Sequence, residues 1–545
     1  MLCRITIIYR IHISIEHFPY IFVYIMSFPV NYERNIREKL LRSFAKGLKK
    51  SLPTALLSND EAMKRFKVVE GATEPAAYAC TALMEFGFSP VDEEQNYYGV
   101  FDFGGGTTDF DFGWLEELDD GRYDYKLTHF GENGDRTLGG ENILKLLAFE
   151  VFAANYESLL KVDDQGSKIP FCKAPDSTSF VGSEAIIRES REAKQNMHNL
   201  MEKLRPVWEN PTAECTKDIF EKRQIEVNLF TDKGEQKPNF LLELKDLDLP
   251  AIIRKRIDKG INNFFVSLNE AFRLSPDIVK PLSQIDTFYI FMAGNASKSA
   301  LVKEVFAEYT DGSKPKAQTL LGVLQGGKMP KFMLLPPLGT AEADKIIKRS
   351  INIITENVAS DEQVDNVQKS DEDVATMQDK PGADSSKQAA ENAQERNDEN
   401  LLRPTGKTGV AYGLLETCAG GSIKVVNITN NCDKEVAFQY YIGRSRKKKF
   451  YTVLGHGASY NQWVDFMDAS DDFDILYTTQ PAAANNNAPL TIAKRKHIVL
   501  TEKMPDCRVY IKPVASTAIV YTIAKKQEEC PKNEDAGELI RIDFD

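Results

Sequence analysis

Residues 100–111 read VFDFGGGTTDFD, an apolar run with one acidic residue, three glycines and a second run in which apolar and polar residues alternate. Two such runs on either side of a glycine turn predict a β-hairpin. Glycine lets the backbone approach a phosphate and aim N–H groups at it, and the Thr107 hydroxyl can donate a further hydrogen bond. Asp102 and Asp109 would then face a hydrated magnesium ion. The alternative is a purely structural turn, because glycine also simply permits tight turns.

Three further motifs accompany this hairpin along the chain. EPAAYA spans residues 74–79, GDRTLGGEN spans residues 134–142, and FMAGNASK spans residues 291–298. The first predicts the beginning of a helix, and the other two predict glycine turns that open helices. A helix N-terminus suits an anion, since its first N–H groups and its dipole favour negative charge. Together the four motifs favour a phosphate site over a structural turn.

In their order and spacing, these four motifs resemble those of the heat shock protein 70 (DnaK-type) chaperone family, within the actin-like ATPase superfamily. The resemblance covers about residues 20–417, apart from an acidic segment. It implies an α/β chain with the actin-like ATPase (ribonuclease H-like) fold, and ATP and Mg²⁺ as ligands. It also implies a molecular chaperone in which the nucleotide state controls the binding of unfolded client polypeptides, with co-chaperones as further partners.

The resemblance also implies roles for individual residues. Glu74 would help to position the attacking water, Asp102 would hold magnesium or position water, and Thr107 would act with the hairpin amides on the β and γ phosphates. The implied magnesium ligands are Asp102 and Asp109. The implied nucleotide-binding residues are Gly104, Gly105, Gly106, Thr108, Gly139, Gly140, Glu141, Lys194, Gly294 and Asn295.

Lys194 is assigned through the run REAKQ at residues 191–195, which aligns with an E-R-A-K-R helix that packs on adenosine and ribose in that family. The sequence departs from the family pattern here in two ways. Gln195 stands where the family has a second basic residue, and residues 293–295 read Ala-Gly-Asn where it has Gly-Gly-Ser. Both departures weaken the expected adenosine pocket.

The first half of the ATPase pattern is not found before Glu74. The family has a first phosphate loop of the Asp-Leu-Gly-Thr-Thr type and a catalytic lysine, whereas residues 1–70 contain no glycine hairpin. Without that loop, in-line hydrolysis loses much of its electrostatic stabilisation, so ATP hydrolysis stays open. Two explanations compete, a fragment of a longer gene and a degenerate nucleotide-binding protein. A start inside the strand predicted in residues 20–32 favours the fragment.

Composition divides the chain into parts. Residues 1–70 are the expected remnant of a first ATPase lobe, and residues 71–350 are the second lobe, in which residues 217–245 read as strands. Residues 358–403 are acidic and poor in large apolar side chains, which predicts a disordered insertion. Residues 404–421 are the expected closing helix of the ATPase core. Residues 422–545 have short β-rich runs between turn residues, which predict a small all-β, sandwich-like domain.

The overall composition is that of a globular protein, with 42% hydrophobic and 27% charged residues. A net charge of −12 argues against a general surface for nucleic acid or anionic membranes. The apolar stretch at residues 18–30 is shorter than the ~20 residues that a spanning helix needs. The scattered cysteines form no metal-binding pattern and are expected to be free thiols. We therefore predict a cytoplasmic protein that binds neither nucleic acid nor membranes.

Three functions are compatible with these patterns. Chaperone activity is favoured, although residues 422–545 show no match to the family's peptide-binding β-domain, so client binding rests on architecture. The alternative is a truncated or non-hydrolysing nucleotide-binding scaffold that docks a partner through its C-terminal β-domain. A small-molecule kinase of the same superfamily is disfavoured by the segment that begins at Glu74.

Overall fold

The structure is a computed structural model of the chain. It describes residues 5–6, 14–15, 18–19, 23–28, 34–91, 94–118, 120–135, 137–175, 177, 180–209, 214–324, 326–349, 403–417, 421–428, 438–460, 462–486, 488–500, 503–531 and 539–544. The acidic segment predicted at residues 358–403 lies outside the described residues, apart from its last position. The described chain is a mixed α/β protein, with one large mixed sheet and separate all-β sheets, which agrees with the predicted α/β class.

The strands are β1 (Ile5–Thr6), β2 (Ser14–Ile15), β3 (Phe18–Pro19), β4 (Val23–Met26), β5 (Lys67–Glu70), β6 (Asn96–Phe103), β7 (Thr108–Glu117), β8 (Tyr125–Asp135), β9 (Gln224–Phe230), β10 (Gln236–Glu243), β11 (Thr287–Ala293), β12 (Lys331–Leu335), β13 (Ile423–Asn427), β14 (Tyr441–Arg446), β15 (Lys449–Leu454), β16 (Val464–Asp468), β17 (Phe473–Thr478), β18 (Lys494–Ile498), β19 (Arg508–Ala515), β20 (Ala518–Ala524) and β21 (Ile540–Asp543).

The helices are α1 (Arg34–Ser51), α2 (Thr54–Leu57), α3 (Asp60–Arg65), α4 (Glu74–Glu85), α5 (Gly140–Ala154), α6 (Tyr156–Leu160), α7 (Arg191–Glu209), α8 (Glu214–Lys222), α9 (Leu249–Leu274), α10 (Ala300–Thr310), α11 (Lys316–Leu320), α12 (341–349) and α13 (Gly409–Glu416). None of the helices within the described ranges is long and apolar enough to cross a lipid bilayer.

The largest sheet carries the glycine hairpin. Its strands lie in the order β12-β11-β6-β7-β8-β13. β6, β7 and β8 are consecutive antiparallel strands, whereas β11 runs parallel to β6, β12 parallel to β11, and β13 parallel to β8. Every residue of β6 is buried, as expected for a strand covered on both faces. The predicted strand–turn–strand at residues 100–111 is confirmed, and it lies in the middle of the sheet.

Different helices cover the two faces of this sheet. On one face, α9 packs against β7 and β8, and the side chain of Asp248 caps its N-terminus by accepting from Ala251 N. On the other face, α4 packs against α13. A Cβ on Gly413 of α13 would lie 1.6 Å from Ala77 O, so the two helices can approach this closely only with glycine there. The helix predicted within residues 404–421 is therefore α13, seated on the core.

A smaller sheet precedes the large one in the chain. β4 runs parallel to β5 and antiparallel to β1, and α1 lies on the connection between β4 and β5. The strand predicted in residues 20–32 is confirmed at β4. Arg37 of α1 forms an ion pair with Glu70 of β5, which ties the connection to its sheet.

Two antiparallel four-stranded sheets make up most of the C-terminal region, in the orders β15-β14-β17-β18 and β16-β19-β20-β21. Alternate residues of each strand point to one side, and those on the facing sides form a single apolar cluster. Ile442 and Ile475 of the first sheet join Ile511 and Ile519 of the second in this cluster. The C-terminal sheets therefore share one core, as the expected all-β region requires.

Two local predictions are wrong. β13, which the sequence analysis placed in the C-terminal domain after residue 422, pairs in parallel with β8 and belongs to the large sheet. Residues 217–245 are not all strand, because α8 covers Glu214–Lys222 and only the following residues form β9 and β10. A parallel partner roughly three hundred positions away leaves no local pattern in a sequence.

Candidate functional site

The turn between β6 and β7 presents backbone amides to solvent. Gly104 N donates to Thr107 O over 3.0 Å and closes the turn. Gly105 and Gly106 are exposed, and the amides of Gly105, Gly106 and Thr107 have no hydrogen-bond acceptor within the described part of the chain. A Cβ on Gly106 would meet no atom within 4 Å, and the φ of Gly106 is not positive. Nothing described inside the chain therefore requires glycine at residue 106, whereas three neighbouring amides without an acceptor suit an anion.

The second glycine turn is bonded to the first. Gly140 N donates to Gly104 O over 3.0 Å, and Glu141 N donates to Gly105 O over 2.7 Å. These two amides belong to the N-terminus of α5, where the sequence analysis expected them to face a phosphate. They are instead satisfied by the hairpin carbonyls, so this helix N-terminus positions the hairpin, and the amides that keep no acceptor are those of the hairpin.

Gly139 is the point of closest approach between the two turns. A Cβ on Gly139 would lie 2.5 Å from Gly105 O and 2.5 Å from Gly106 C. Asn142 Nδ2 adds a hydrogen bond of 2.7 Å to Gly106 O. The conformation of the hairpin tip therefore depends on a glycine more than thirty residues away in sequence.

The third glycine turn meets the hairpin from the other side. Gly294 follows β11, whose last residue pairs with Asp102 of β6. Its φ is +79°, and a Cβ there would lie 2.2 Å from Phe103 O and 2.5 Å from Asp102 Oδ1. Gly294 is thus required both by its left-handed backbone and by the lack of space. The sequence analysis expected Gly294 to bind the nucleotide, and the structure places it against the backbone of β6.

A cavity of about 230 Å³ opens between these three turns. The lining residues come from the hairpin, from the start of α5, from the end of α7 and from the third glycine turn. They are Gly104, Gly105, Gly140, Glu141, Trp208, Glu209, Asn295, Ala296, Lys298 and Ser299. The structure therefore brings together sequence-predicted residues of three motifs that are far apart in the chain.

Arg205 is a residue of this region that the sequence analysis missed. Its guanidinium donates to both carboxylate oxygens of Glu141, over 2.7 and 3.2 Å, and to Glu202 over 2.7 Å. These bonds raise the pKa of Arg205 above its ordinary value. A bidentate ion pair of this kind fixes the relative orientation of the two side chains as well as pairing their charges. Arg205 therefore ties α7 to Glu141, the residue that follows the second glycine turn.

Lys194 does not reach the cavity. Its side chain is 63% exposed and lies 3.6 Å from Glu189. On α7 it precedes Trp208, which does line the cavity, by fourteen positions, roughly 21 Å of helix. The run Glu-Lys-Leu-Arg at residues 202–205 has the same acidic–basic–apolar–basic order as the family motif, and it is the signal that could have led to the correct part of α7.

Asp102 and Asp109 face each other across the hairpin. They are paired residues of β6 and β7, and each is 6% exposed. Burial, followed by the charges of Asp102 and Glu74, raises the pKa of Asp109 to about 8. Thr107 Oγ1 donates to Asp109 Oδ2 over 3.0 Å, while the buried Asp109 Oδ1 has no hydrogen-bond partner within the described residues. Crowded carboxylates with an unsatisfied oxygen fit a cation.

A hydrated magnesium ion is the cation that these residues suit. Within the described ranges no three Asp, Glu, His or Cys side chains come together as a complete metal cage. Mg²⁺ does not need one, because it usually keeps several waters and uses one or two carboxylates. Asp102 and Asp109 offer such a pair, and the unpartnered oxygen of Asp109 supports the fit.

The remaining predicted residues lie close by but differ in role. Glu74 is the first residue of α4, is partly buried, and is near enough to Asp109 for its charge to act there. Thr108 is fully buried, and its hydroxyl donates to Leu138 O over 2.7 Å. Thr108 therefore ties the hairpin to the second turn, whereas the sequence analysis expected a nucleotide ligand.

Comparison of the sequence with known proteins does not identify a family. No protein-family model matches the sequence, and no curated protein matches it. What the site can bind therefore follows from its own chemistry, which is a set of amides without acceptors, a neighbouring pair of buried carboxylates and a small cavity.

Proposed function

We propose that this chain is an ATP-binding molecular chaperone of the heat shock protein 70 type, with an actin-like ATPase core followed by a C-terminal β-domain. In this proposal the nucleotide state controls the binding of unfolded polypeptides. The mixed sheet with helices on both faces is compatible with an actin-like core. The hydrogen-bonded glycine turns support the binding of a nucleotide. The paired carboxylates support the binding of magnesium.

The observation that carries the proposal is the hairpin tip at Gly105, Gly106 and Thr107. Its three amides have no acceptor among the described residues, and the space above Gly106 is open. Hydrogen bonds from the second glycine turn and the start of α5 to the hairpin carbonyls support this conformation of the tip, so the amides are preorganised. Preorganised amides bind a phosphate without first having to give up internal hydrogen bonds.

The neighbouring cavity supports a nucleotide rather than inorganic phosphate alone. Its volume of about 230 Å³ is below that of pockets that enclose whole ligands, so it suits one end of a larger molecule. Trp208 provides an aromatic surface of the kind on which bases stack. Lys298 adds a cation, and the Arg205–Glu141 pair adds charged hydrogen-bonding groups at the rim.

Each residue then has a defined role. Magnesium, when bound, supplies positive charge that neutralises phosphate oxygens. Asp102 and Asp109 would hold its water shell from behind the hairpin. Glu74, whose charge already acts on Asp109, would accept a hydrogen bond from an attacking water and so orient it.

A second function is a non-hydrolysing nucleotide-binding scaffold that docks one partner through its β-domain. A buried hydrogen bond between the core and the C-terminal sheets favours it, since Tyr441 Oη donates to Glu270 Oε2 over 2.5 Å. A β-domain that is held against the core by a buried contact would present a constant docking surface, as a scaffold requires. Stimulation of ATP turnover by an unfolded peptide would support the chaperone, and a single stable partner without such stimulation would support the scaffold.

Gly106→Ala tests nucleotide binding most directly. The new Cβ meets no atom of the chain, so the fold should be unchanged, but it occupies the space that a phosphate needs. We expect magnesium-ATP affinity, measured by calorimetry, to fall about a hundredfold, equivalent to about 2.7 kcal/mol. Gly47→Ala is the matched control, because its Cβ also meets nothing but lies on α1, far from the hairpin in sequence.

The outcomes of this pair are distinct. Equal magnesium-ATP affinity in Gly106→Ala and Gly47→Ala would show that the hairpin does not bind the phosphate. No binding by the wild-type chain would remove the nucleotide itself. Turnover is measured alongside, with Asp102→Ala, Thr107→Ala as the double variant that should lose both binding and hydrolysis.

A further inference from the structure

Positive charge is concentrated at the tip of the hairpin that β14 and β15 form in the C-terminal region. Residues 444–449 read RSRKKK, so five of these six side chains are basic in a chain whose net charge is −12. All six except the half-buried Arg444 are exposed. We call residues 444–449 the basic tip. It lies outside the apolar core of the C-terminal sheets, so packing does not account for its composition.

The turn of this hairpin consists of two lysines in an unfavourable backbone conformation. Arg446 pairs with Lys449, and Lys447 and Lys448 connect them with φ values of +52° and +61°. A two-residue turn with both φ values positive strongly prefers Asn-Gly, because other side chains are strained in the left-handed region. The hairpin would form more easily without these lysines. Residues that oppose the local backbone preference in this way are concentrated at functional sites.

The two arginines of the basic tip are ordered by neighbouring groups. Arg444 Nη1 donates to Phe466 O over 2.8 Å. The guanidinium carbons of Arg444 and Arg446 lie 5.8 and 5.2 Å from the ring centroid of Tyr451, on the adjacent strand β15. Cation–π contacts of this kind hold a guanidinium in place while its N–H groups stay in the plane of the fork. Less side-chain freedom is therefore lost when an anion binds.

The charges of the turn are not neutralised by the fold. Within the described part of the chain, no carboxylate forms an ion pair with Arg446, Lys447 or Lys448. Carboxylates are nonetheless close, because β14 runs antiparallel to β17 and its end meets the loop that precedes β17. Asp471 of that loop pairs with Lys503 over 2.9 Å. The acids at this edge of the sheet are thus used elsewhere, and the basic tip is left to an external anion.

Two observations decide the class of that anion. The ring of Tyr451 is already faced by both arginines, so the tip offers no aromatic surface on which a nucleic-acid base could stack. The carboxylates of Asp471 and Asp472, at the same edge of the sheet, would repel a flat anionic surface such as a membrane. A narrow acidic polypeptide can reach the basic tip without approaching these carboxylates.

We propose that the basic tip is a docking site for an acidic segment of a partner protein, a run of Asp and Glu residues. Its carboxylates would pair with the guanidinium of Arg446 and with the ammonium groups of Lys447 and Lys448, the mode by which basic clusters recognise acidic motifs. Because these groups are exposed, the affinity should fall as salt is added. The proposal is independent of the nucleotide site.

The double variant Lys447→Asn, Lys448→Gly separates this role from folding. It removes two charges and supplies the residues that the turn prefers, so the urea midpoint of the full-length chain should rise. Binding of a fluorescent oligoglutamate peptide, followed by anisotropy, should weaken about tenfold. Lys525→Gln, Lys526→Gln is the matched control, because it removes two adjacent, exposed lysines from the same region. Its affinity for the peptide should equal that of the wild type.

Each other outcome would overturn the proposal. These outcomes are no peptide binding by the wild-type chain, or the same loss of affinity in both double variants, which would indicate an effect of net charge alone. Binding of oligothymidylate or of phosphatidylserine vesicles as tightly as oligoglutamate would assign the tip to a different partner. A lower urea midpoint in Lys447→Asn, Lys448→Gly would show that the lysines suit the turn, and the argument from strain would fail with the proposal.

Discussion

Two buried carboxylates, Asp109 behind the glycine hairpin and Glu270 at the domain interface, illustrate two different uses of a buried acid. The pKa of Asp109 is raised to about 8 by burial and by the charges of Asp102 and Glu74. The pKa of Glu270 is raised to about 7 by burial, while Tyr441 and Arg273 act in the opposite direction. Burial makes both acids resist ionisation, but only Asp109 is also crowded by other acids.

The hydrogen bonds of the two groups explain what this difference means. Glu270 Oε2 accepts a hydrogen bond from the hydroxyl of Tyr441, and Glu270 Oε1 lies 3.8 Å from Arg273 Nη2. The carboxyl of Glu270 is therefore satisfied within the chain. Asp109 Oδ1 has no partner among the described residues. A satisfied buried acid fastens two parts of a fold, whereas a crowded and unsatisfied one is stabilised by a cation from outside.

Asp109→Asn should produce the largest effect. The amide cannot act as an anionic ligand, so magnesium-dependent nucleotide binding should weaken at least about a hundredfold, or about 2.7 kcal/mol. Without magnesium the variant should be at least as stable as the wild type, because no charge has to be buried beside Asp102 and Glu74. Calorimetric titration and thermal unfolding measure the two quantities.

Glu270→Gln is the matched control for this variant. It also replaces a buried carboxyl that has a raised pKa by an amide, but it lies at the interface rather than at the hairpin. Nucleotide affinity should stay within about twofold of the wild type. A hundredfold loss in Glu270→Gln would contradict the distinction between the two acids.

Tyr441→Phe should produce the next largest effect, this time on stability. The change leaves the buried carboxyl of Glu270 without its hydroxyl donor, and an unsatisfied buried polar group costs about 2 kcal/mol. We expect a lower urea midpoint with nucleotide binding unchanged. Tyr451→Phe, a half-buried tyrosine of the adjacent strand β15, serves as the control and should shift stability by less than about 0.5 kcal/mol. Equal midpoints for the two variants would remove the role of the Tyr441 hydroxyl.

The pH dependence of magnesium binding should be smaller but informative in its sign. Below the Asp109 pKa of about 8 a proton occupies the carboxyl, and the ion must displace it. Affinity should therefore rise between pH 6 and pH 8, by at most about tenfold per pH unit, and become level above pH 8. Asp109→Asn should be flat over the same range, and a wild-type affinity that falls with pH would contradict the assignment.

The same shift affects stability in the absence of magnesium. A raised pKa means that the fold favours the protonated acid, so the contribution of Asp109 is complete below pH 4 and is lost as the pH rises toward 8. The folded chain should thus lose stability with rising pH unless magnesium is present. Unfolding with and without the ion at pH 6 and pH 8 measures this difference.

Arg205→Ala compared with Lys194→Ala should produce the smallest effect. Arg205 holds Glu141 at the cavity, so its removal should weaken nucleotide binding about fivefold. Lys194 is exposed and distant from the cavity, so its removal should change affinity by less than about twofold. A larger loss of nucleotide affinity in Lys194→Ala than in Arg205→Ala would instead support the alignment of residues 191–195 with the family motif.

Local patterns were sufficient for the parts of the site that are continuous in the chain. The strand, the turn and the second strand at residues 100–111 follow from alternation and glycine, and the structure confirms them. The glycine turn predicted after the strand at residues 287–292 is likewise present, with a positive φ at Gly294. In these cases the signal is a backbone requirement, which a glycine makes visible in the sequence itself.

Contacts between distant segments were missed for a physical reason. Helical periodicity did not separate the run at residues 202–205 from the similar run at residues 191–195, because segments three turns apart on one helix have nearly the same pattern. Thr108 looks like a ligand beside three glycines, yet the pairing of β7 with β8 turns it inward toward Leu138. β13 has an ordinary strand pattern that does not reveal its partner.

The sequence by itself determined where the glycine turns lie and which secondary structures flank them, since glycine freedom, alternation and helical spacing are properties of short segments. The tertiary structure alone decided which amides remain available, because Gly140 and Glu141 lose theirs to the hairpin carbonyls. It also decided that Asp109 and Glu270 have different environments. Partners and dielectric surroundings are set by residues that are far apart in the chain and meet only when it folds.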